Sequence, residues 1–227
     1  MPTIKTALIV GASRGLGLGL VTELKSRGWS VVGTARDEAG ARRVEAAGAR
    51  AERVDTADAA SVAALSQRLA DEAFDLVFVN AGIKGAQHQD PARTTAAEIA
   101  ELFTINSVAP VAIARTFLDR MREGGGVIAF MSSDLGSVTR TTDGYIPLYR
   151  ASKAALNSLI RSFAAELGGR RMTVLAIHPG WVRTDMGGEH APVGIAESVK
   201  GVVDVLESRA GTLRHGFVDY NGRELAW

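Results

Sequence analysis

The chain has 227 residues, 46% of them hydrophobic and 22% charged, which is enough for one sizeable core and ordinary for a soluble globular protein. Its 26 Lys and Arg nearly balance 25 Asp and Glu, with no concentrated basic run, so neither nucleic acid nor a membrane surface is expected as a partner and a small molecule is favoured. Cysteine is absent, which excludes disulfides, thiolate nucleophiles and Cys-ligated metals, and four scattered His lack metal-ligand spacing, so no metal is expected.

Runs rich in Val, Ile and Phe predict strands over residues 3–10, 30–35, 49–54, 74–79, 127–131, 173–178 and 217–220. Ala-rich stretches between them predict helices over 15–27, 37–47, 58–72, 95–122, 148–167 and 196–207. Such alternation predicts an α/β fold, a doubly wound parallel sheet covered on both faces, with residues 1–227 forming one domain. The opening residues lack a basic segment and a cleavage-like site and read as a strand; no apolar run approaches membrane-spanning length, so a cytoplasmic protein is expected. Irregular stretches at 132–146 and 179–195 follow predicted strands at the sheet edge where such folds bind ligands.

Directly after the first strand, Gly11-Ala12-Ser13-Arg14-Gly15-Leu16-Gly17 opens a helix. Small residues there let backbone amides approach a pyrophosphate, and the helix amino terminus favours its charge. The spacing alone is weak; its place at the first strand-to-helix turn is what points to a dinucleotide. Arg14 in the loop and Arg36 past the second strand suit an adenosine 2'-phosphate, favouring NADP(H). Asp37 could instead accept from the ribose of NAD(H), which stays possible, but it reads better as the start of the next helix. Asp55, after the third strand, is a candidate adenine contact or an ordinary turn residue.

Tyr149 and Lys153, four residues apart, share one helix face. An ammonium about 5 Å from a phenol, at an effective dielectric of about 20, favours the phenolate by about 3 kcal/mol, or roughly two pKa units, giving a proton donor usable near neutral pH. A solvated helix face is the ordinary source of such a pair, so its surroundings decide.

Those surroundings are Asn80-Ala81-Gly82 after the fourth strand, Asn106, Ser132-Ser133 after the fifth, and Pro179-Gly180 ahead of Val182 and Thr184 after the sixth. With the glycine loop and the Tyr-Lys pair, in this order and over essentially the whole chain, they resemble the short-chain dehydrogenase/reductase family. The stretches 149–157, 178–188 and the final residues are similar to its C-factor-like group of small carbonyl reductases. The resemblance implies a Rossmann-type three-layer αβα fold and NADP(H)-dependent interconversion of a carbonyl and an alcohol. A dinucleotide-binding regulatory protein with little turnover is the alternative. In the family's scheme Tyr149 is the general acid/base, Lys153 holds the nicotinamide ribose, a serine bonds the substrate oxygen, and Asn106 fixes a water leading from Lys153 to solvent. Asn106 could also simply bond helix backbone. The glycine loop, Asn80-Ala81-Gly82, Pro179, Gly180, Val182 and Thr184 contact the cofactor in the same scheme, and a homodimer or homotetramer is implied.

The family spacing counted back from Tyr149 lands on Gly136, so the loop carries an insertion. Ser133 is chosen, and Ser132, one residue earlier on an extended segment, is expected to face the other side. Tyr145 fits the count from Ser132 but lacks a Lys one turn on, so it is assigned to the pocket wall with Trp181 and Met186. Gly187 and Gly188 suggest a mobile lid. His178 is expected to be structural, because no carboxylate partner is evident in the sequence.

Overall fold

A computed structural model describes residues 5–212 and 215–227. Seven strands form one parallel sheet: β1 (Thr6–Val10), β2 (Ser30–Ala35), β3 (Arg50–Arg53), β4 (Leu76–Val79), β5 (Val127–Met131), β6 (Thr173–His178) and β7 (His215–Asp219). Their spatial order is β3-β2-β1-β4-β5-β6-β7, so the chain winds outward in one direction from β1 to β3, then crosses back to β4 and continues the other way. Residues 3 and 4 of the predicted first strand lie outside the described residues, and β3, β4 and β7 differ from expectation at their ends. Phe74 instead forms an isolated bridge with Met121.

Alternation along the strands sorts the core into two layers. Leu8, Val10, Val77, Val79, Ile128 and Phe130 face one way and pack with side chains of α3 (Ala59–Arg68), α5 (Ala109–Phe117) and α6 (Pro147–Glu166). Ala7, Ile9, Leu76, Phe78, Ala129 and Met131 face the other way, against α1 (Gly15–Ser26), α2 (Glu38–Ala46) and α7 (Ile195–Arg209). On the second face, Arg27 closes the α1–α7 contact by pairing with Glu23, Asp204 and Glu207, each at 2.7 Å.

The predicted helix over 95–122 is one helical stretch, Ala96–Arg120, but not a regular one. It comprises α4 (Ala96–Phe103), a π-helical turn Thr104–Val108, α5 and a closing 3-10 turn Leu118–Arg120. Thr95 and Glu98 start it with a reciprocal capping box. Contrary to the sequence expectation, this stretch is long and apolar enough to cross a membrane by length and composition. Its Ile113, Ala114 and Phe117 are spent in the core, where Phe117 meets Phe74 edge to face at 6.0 Å. Packing against the sheet accounts for part of the apolar run, 39% of which is buried.

Phe130 of β5 and Phe163 of α6, both essentially inaccessible to solvent, meet edge to face with ring centroids 6.3 Å apart. This pair fixes the helix that carries Tyr149 to the strand that leads into Ser133. Phe163→Ala is expected to cost about 3–5 kcal/mol, read as a lowered urea midpoint.

Candidate active site

The crossing from β1 to β4 opens a crevice at the carboxyl ends of the strands, and the glycine loop sits in it. Gly11 has a φ of +84°, and a Cβ on it would stand 2.8 Å from the Ala81 nitrogen. A Cβ on Gly17 would overlap the Gly11 carbonyl oxygen and lie 2.7 Å from Asn80 Nδ2. Asn80 Nδ2 donates to that same carbonyl at 2.7 Å, and Gly11 N–H donates to Thr34 Oγ1 at 3.0 Å. Asn80-Ala81 thus clamps the loop from behind. In front, Arg14 is the N-cap of α1 and supplies no side-chain cap, which leaves the first-turn amides to an anion. This cradle of close-packed glycines at an uncapped helix end fits a dinucleotide pyrophosphate.

The basic residues are distributed differently from expectation. Arg14 pairs with Asp185 of the loop after β6, while Arg36 is exposed in a groove with Arg53, Asp55 and Arg68, so the two are not turned toward a common point. Arg43, which sequence reading did not single out, donates from Nε to the Ser13 carbonyl at 2.7 Å and braces the loop from α2. Only its place one turn along a helix that starts beside the loop could have signalled it. Asp37 caps α2 through Gly40 N–H at 2.7 Å. Asp55 closes a turn by accepting from Ala57 N–H at 3.0 Å.

Across the crevice, α6 brings Tyr149 and Lys153 together, both buried. Ser133 caps a short 3-10 turn, Asp134–Gly136, after β5 and stands beside the phenol. Ser132 faces away, donating to Asn157 Oδ1 at 2.6 Å. The acidified phenol expected from the Lys153 charge is not found. Burial pushes Tyr149 up to about 12, Ser133 pulls it back and Asp134 adds to the rise. Burial likewise pulls Lys153 down to about 8. The reason is geometric: Lys153 Nζ donates to the Met131 carbonyl at 3.0 Å and lies 5.8 Å from the Tyr149 ring centroid, so desolvation outweighs attraction.

Gly82 reaches this group, since a Cβ on it would lie 3.3 Å from Asn106 Oδ1 and 3.5 Å from Lys153 Nζ. Asn106, in the π-helical turn, grips Ile83 on both sides, accepting from its N–H and donating to its carbonyl, each at 2.8 Å. Its remaining amide hydrogen goes to Ser152 Oγ at 3.0 Å. Both amide hydrogens are thereby used, so a water at this side chain would donate to its oxygen.

His178 departs from expectation. Its Nδ1 is buried without a hydrogen bond and stands 3.5 Å from Asp134 Oδ1, and its strand position pairs with Asp219. Burial lowers its pKa, while Asp134 and Asp219 oppose that and Arg140 assists it. A carboxylate partner therefore exists, and it adjoins Ser133.

The loop after β6 is tied to itself rather than loose. Val182 bridges Val193, Trp181 Nε1 donates to the Gly187 carbonyl at 2.7 Å, and Gly187 N–H donates to Thr184 Oγ1 at 3.1 Å. A Cβ on Gly187 would overlap the Val182 carbonyl oxygen, so close approach rather than mobility calls for glycine there. Pro179 anchors the loop by accepting from Ser198 Oγ at 2.6 Å, and Gly180 turns it with a φ of +86°. Tyr145, Trp181 and Met186 are all exposed large side chains on the two loops.

Comparison with known proteins agrees with this arrangement. Residues 5–192 match the family model described as short chain dehydrogenase. The chain is 35% identical to C-signal of Myxococcus xanthus over 161 residues, covering 67% of this chain and 92% of that one. It is 36% identical over 196 residues to a hydroxynaphthalene reductase-like protein, Arp2, of Metarhizium guizhouense, covering 80% of this chain and 70% of that one. A carbonyl reductase from Pseudomonas aeruginosa PAO1, solved in complex with NADP, superposes with a TM-score of 0.92 at 41% identity, covering 99% of this chain and 100% of that one. A glycine cradle at the β1–β4 crossing, a buried Tyr-Lys pair on α6 and a match over most of its length place the chain in the short-chain dehydrogenase/reductase family of oxidoreductases.

Proposed function

We propose that the protein is an NADP(H)-dependent carbonyl reductase, reversible to alcohol oxidation, with Tyr149 as general acid/base. The observation that carries this reading is the meeting of Tyr149, Ser133 and Lys153 in one buried recess beside the glycine cradle. The NADP complex of the Pseudomonas aeruginosa carbonyl reductase supports the cofactor. Gly11, Ser13, Gly15, Leu16 and Gly17 would hold its pyrophosphate, Arg36 is the exposed cation free to meet a 2'-phosphate, Arg14 would first have to leave Asp185 to join it, and Pro179, Gly180, Val182 and Thr184 would border the nicotinamide end. When bound, that cofactor supplies or accepts a hydride.

The residues of the chain handle the proton. A phenol pushed up to about 12 is fully protonated near neutral pH, so Tyr149 is poised to donate as an alkoxide develops on the substrate. Ser133 donates to the same oxygen, where negative charge grows in the transition state. Once the proton has left, the phenolate is stabilised by the Lys153 ammonium. Tyr145, Trp181 and Met186 supply apolar surface around the entrance, which suits a moderately hydrophobic carbonyl compound. Exposed Val108 and Leu159 lie on the two long helices through which the resemblance implies homo-oligomer contacts.

The test is NADPH oxidation across a panel of aldehydes and ketones, in which Tyr149→Phe should lower turnover by about 10²–10⁴-fold. Binding of NADPH without turnover of any carbonyl, or turnover undiminished by this change, sinks the reading. The pH profile carries a second expectation. Reduction needs the protonated phenol and is lost as pH rises through its pKa. Asp134 raises that pKa, whereas Ser133 lowers it. Asp134→Asn should therefore move the basic limb to lower pH.

Lys153 provides a third. Its pKa falls from 10.5 in the unfolded chain to about 8 in the folded one, so between these values only the unfolded chain holds the proton and stability rises with pH. Below about 8 the buried ammonium costs on the order of 3 kcal/mol, at about 1.4 kcal/mol per unit. Lys153→Met removes that cost but leaves the Met131 carbonyl unpaired, at about 1–3 kcal/mol. Denaturation of the cofactor-free protein should show this inactive variant to be the more stable at pH 7, with no further gain from pH 8 to 10.

A further inference from the structure

Two non-glycine residues among those described have positive φ: Gln89 at 53° and Ile146 at 42°. They are far apart in sequence and meet at one place, the amino end of α6. Ile146 is the N-cap of that helix, and its side chain has no acceptor to offer. Pro147 is the first helical residue and has no N–H, so Tyr149, the third, presents an orphan amide in the first turn. That amide is not left unpaired. Gln89 Oε1, from the loop after β4, accepts from Tyr149 N–H at 3.0 Å.

Gln89 is itself held on every side. Its Nε2 donates to the Lys84 carbonyl at 2.9 Å and to the Ala86 carbonyl at 2.7 Å, and the residue is only 6% exposed. A left-handed glutamine in a buried site is uncommon, and a left-handed β-branched Ile146 is a genuine outlier. Such strain persists only where the surroundings over-determine it, and it gathers at functional sites. Of the two, Gln89 serves the amide of Tyr149, while Ile146 starts the helix one turn before Arg150, whose N–H its carbonyl accepts at 3.0 Å. The other end of the same loop carries Asn80-Ala81-Gly82, with Gly82 beside Lys153. One segment, 80–89, therefore touches the glycine cradle, the lysine and the backbone of the proton donor.

We propose that Gln89 is a positioning residue for the reaction: it acts as an N-cap in trans, tethering the Tyr149 backbone to the cofactor-side loop so that the phenol and the cradle keep a fixed separation. The assignment rests on the reductase reading of this site. Positioning at this level matters because a displacement of about 1 Å can cost about 100-fold in rate.

Gln89→Met keeps length and burial but removes the acceptor and both donors. Gln89→Glu keeps an accepting oxygen for Tyr149 N–H. In steady-state kinetics Gln89→Met should lower kcat by about 10- to 100-fold while the KM for NADPH changes by less than about threefold, and Gln89→Glu should recover part of kcat. In the cofactor-free protein, hydrogen exchange in the first turn of α6 should quicken about tenfold in Gln89→Met, as expected for a lost cap, and less in Gln89→Glu. If Gln89→Met does not fold, the same split read on Gln89→Glu against wild type decides the matter. An unchanged kcat, or equal losses in kcat and NADPH affinity, overturns the assignment while wild-type turnover and its loss in Tyr149→Phe leave the function standing. If wild type reduces no carbonyl, the function falls and the exchange comparison alone decides the tether: no quickening overturns it.

Discussion

The pairing of β1 with β4 is the constraint on which the rest of this molecule depends. The chain lays down β1, β2 and β3 on one side, then must return past β1 to start the other half, and the helices on either side of that return diverge. What fills the resulting crevice is backbone, because Gly11 and Gly17 approach Ala81 and Asn80 too closely for any side chain. The loop after β1 offers amides on one flank. The loop after β4 leads along the other flank to Gly82, Asn106 and Lys153. The glycine cradle and the buried Tyr-Lys pair are therefore set side by side by a single topological event, with the same short segment forming the wall between them.

That arrangement has an energetic tension. A site that excludes water strengthens every charge–dipole contact in it but penalises the charges themselves. Lys153 and Tyr149 are buried close to each other, and each is driven toward its neutral form. The lysine eases this by donating to the Met131 carbonyl at the end of β5, a weaker partner than a carboxylate. Among the described residues the ammonium has no carboxylate counter-ion, which is what the proposed role beside a phenolate requires.

Much of this was legible in the sequence, and what was missed has a common cause. The βα alternation located all seven strands and the main helical stretches, though not the breaks within 96–120 or the 3-10 turn at 134–136, since burial on both faces of a parallel sheet leaves long apolar runs that chain-local reading detects. The glycine loop, the Tyr-Lys pair and the two serines were likewise visible, because each depends on neighbours a few residues away. What chain-local reading could not give were lateral relations between strand ends. His178 sits beside Asp219 because β6 and β7 are in register there, and beside Asp134 because both follow adjacent strands. Arg43 on Ser13 and Gln89 on Tyr149 are of the same kind. The phenol's pKa was missed for a related reason: spacing gives a distance between charges, whereas burial, which dominates here, is a property of the whole fold.

The loop between Ser133 and Tyr149 receives lateral support of the same kind. The loop is pinned at both ends, and between them Ser137 is buried and Thr139 Oγ1 donates to the Trp227 carbonyl at 3.1 Å. Ser133 is fixed by its 3-10 turn, and Gly136 packs against Lys153 so tightly that a Cβ would lie 2.8 Å from the backbone of that residue. At the other end Arg150 draws Asp143 and the Tyr145 carbonyl to the first turns of α6, at 2.6 and 2.7 Å. The left-handed backbone at Ile146 is tolerated because the helix it starts is held by the sheet below and by Gln89 above. Val138 and Tyr145 of this loop are exposed, so changing their side chains leaves the contacts that place Tyr149 intact. Specificity can diverge in such a loop while the chemistry beneath it stays put.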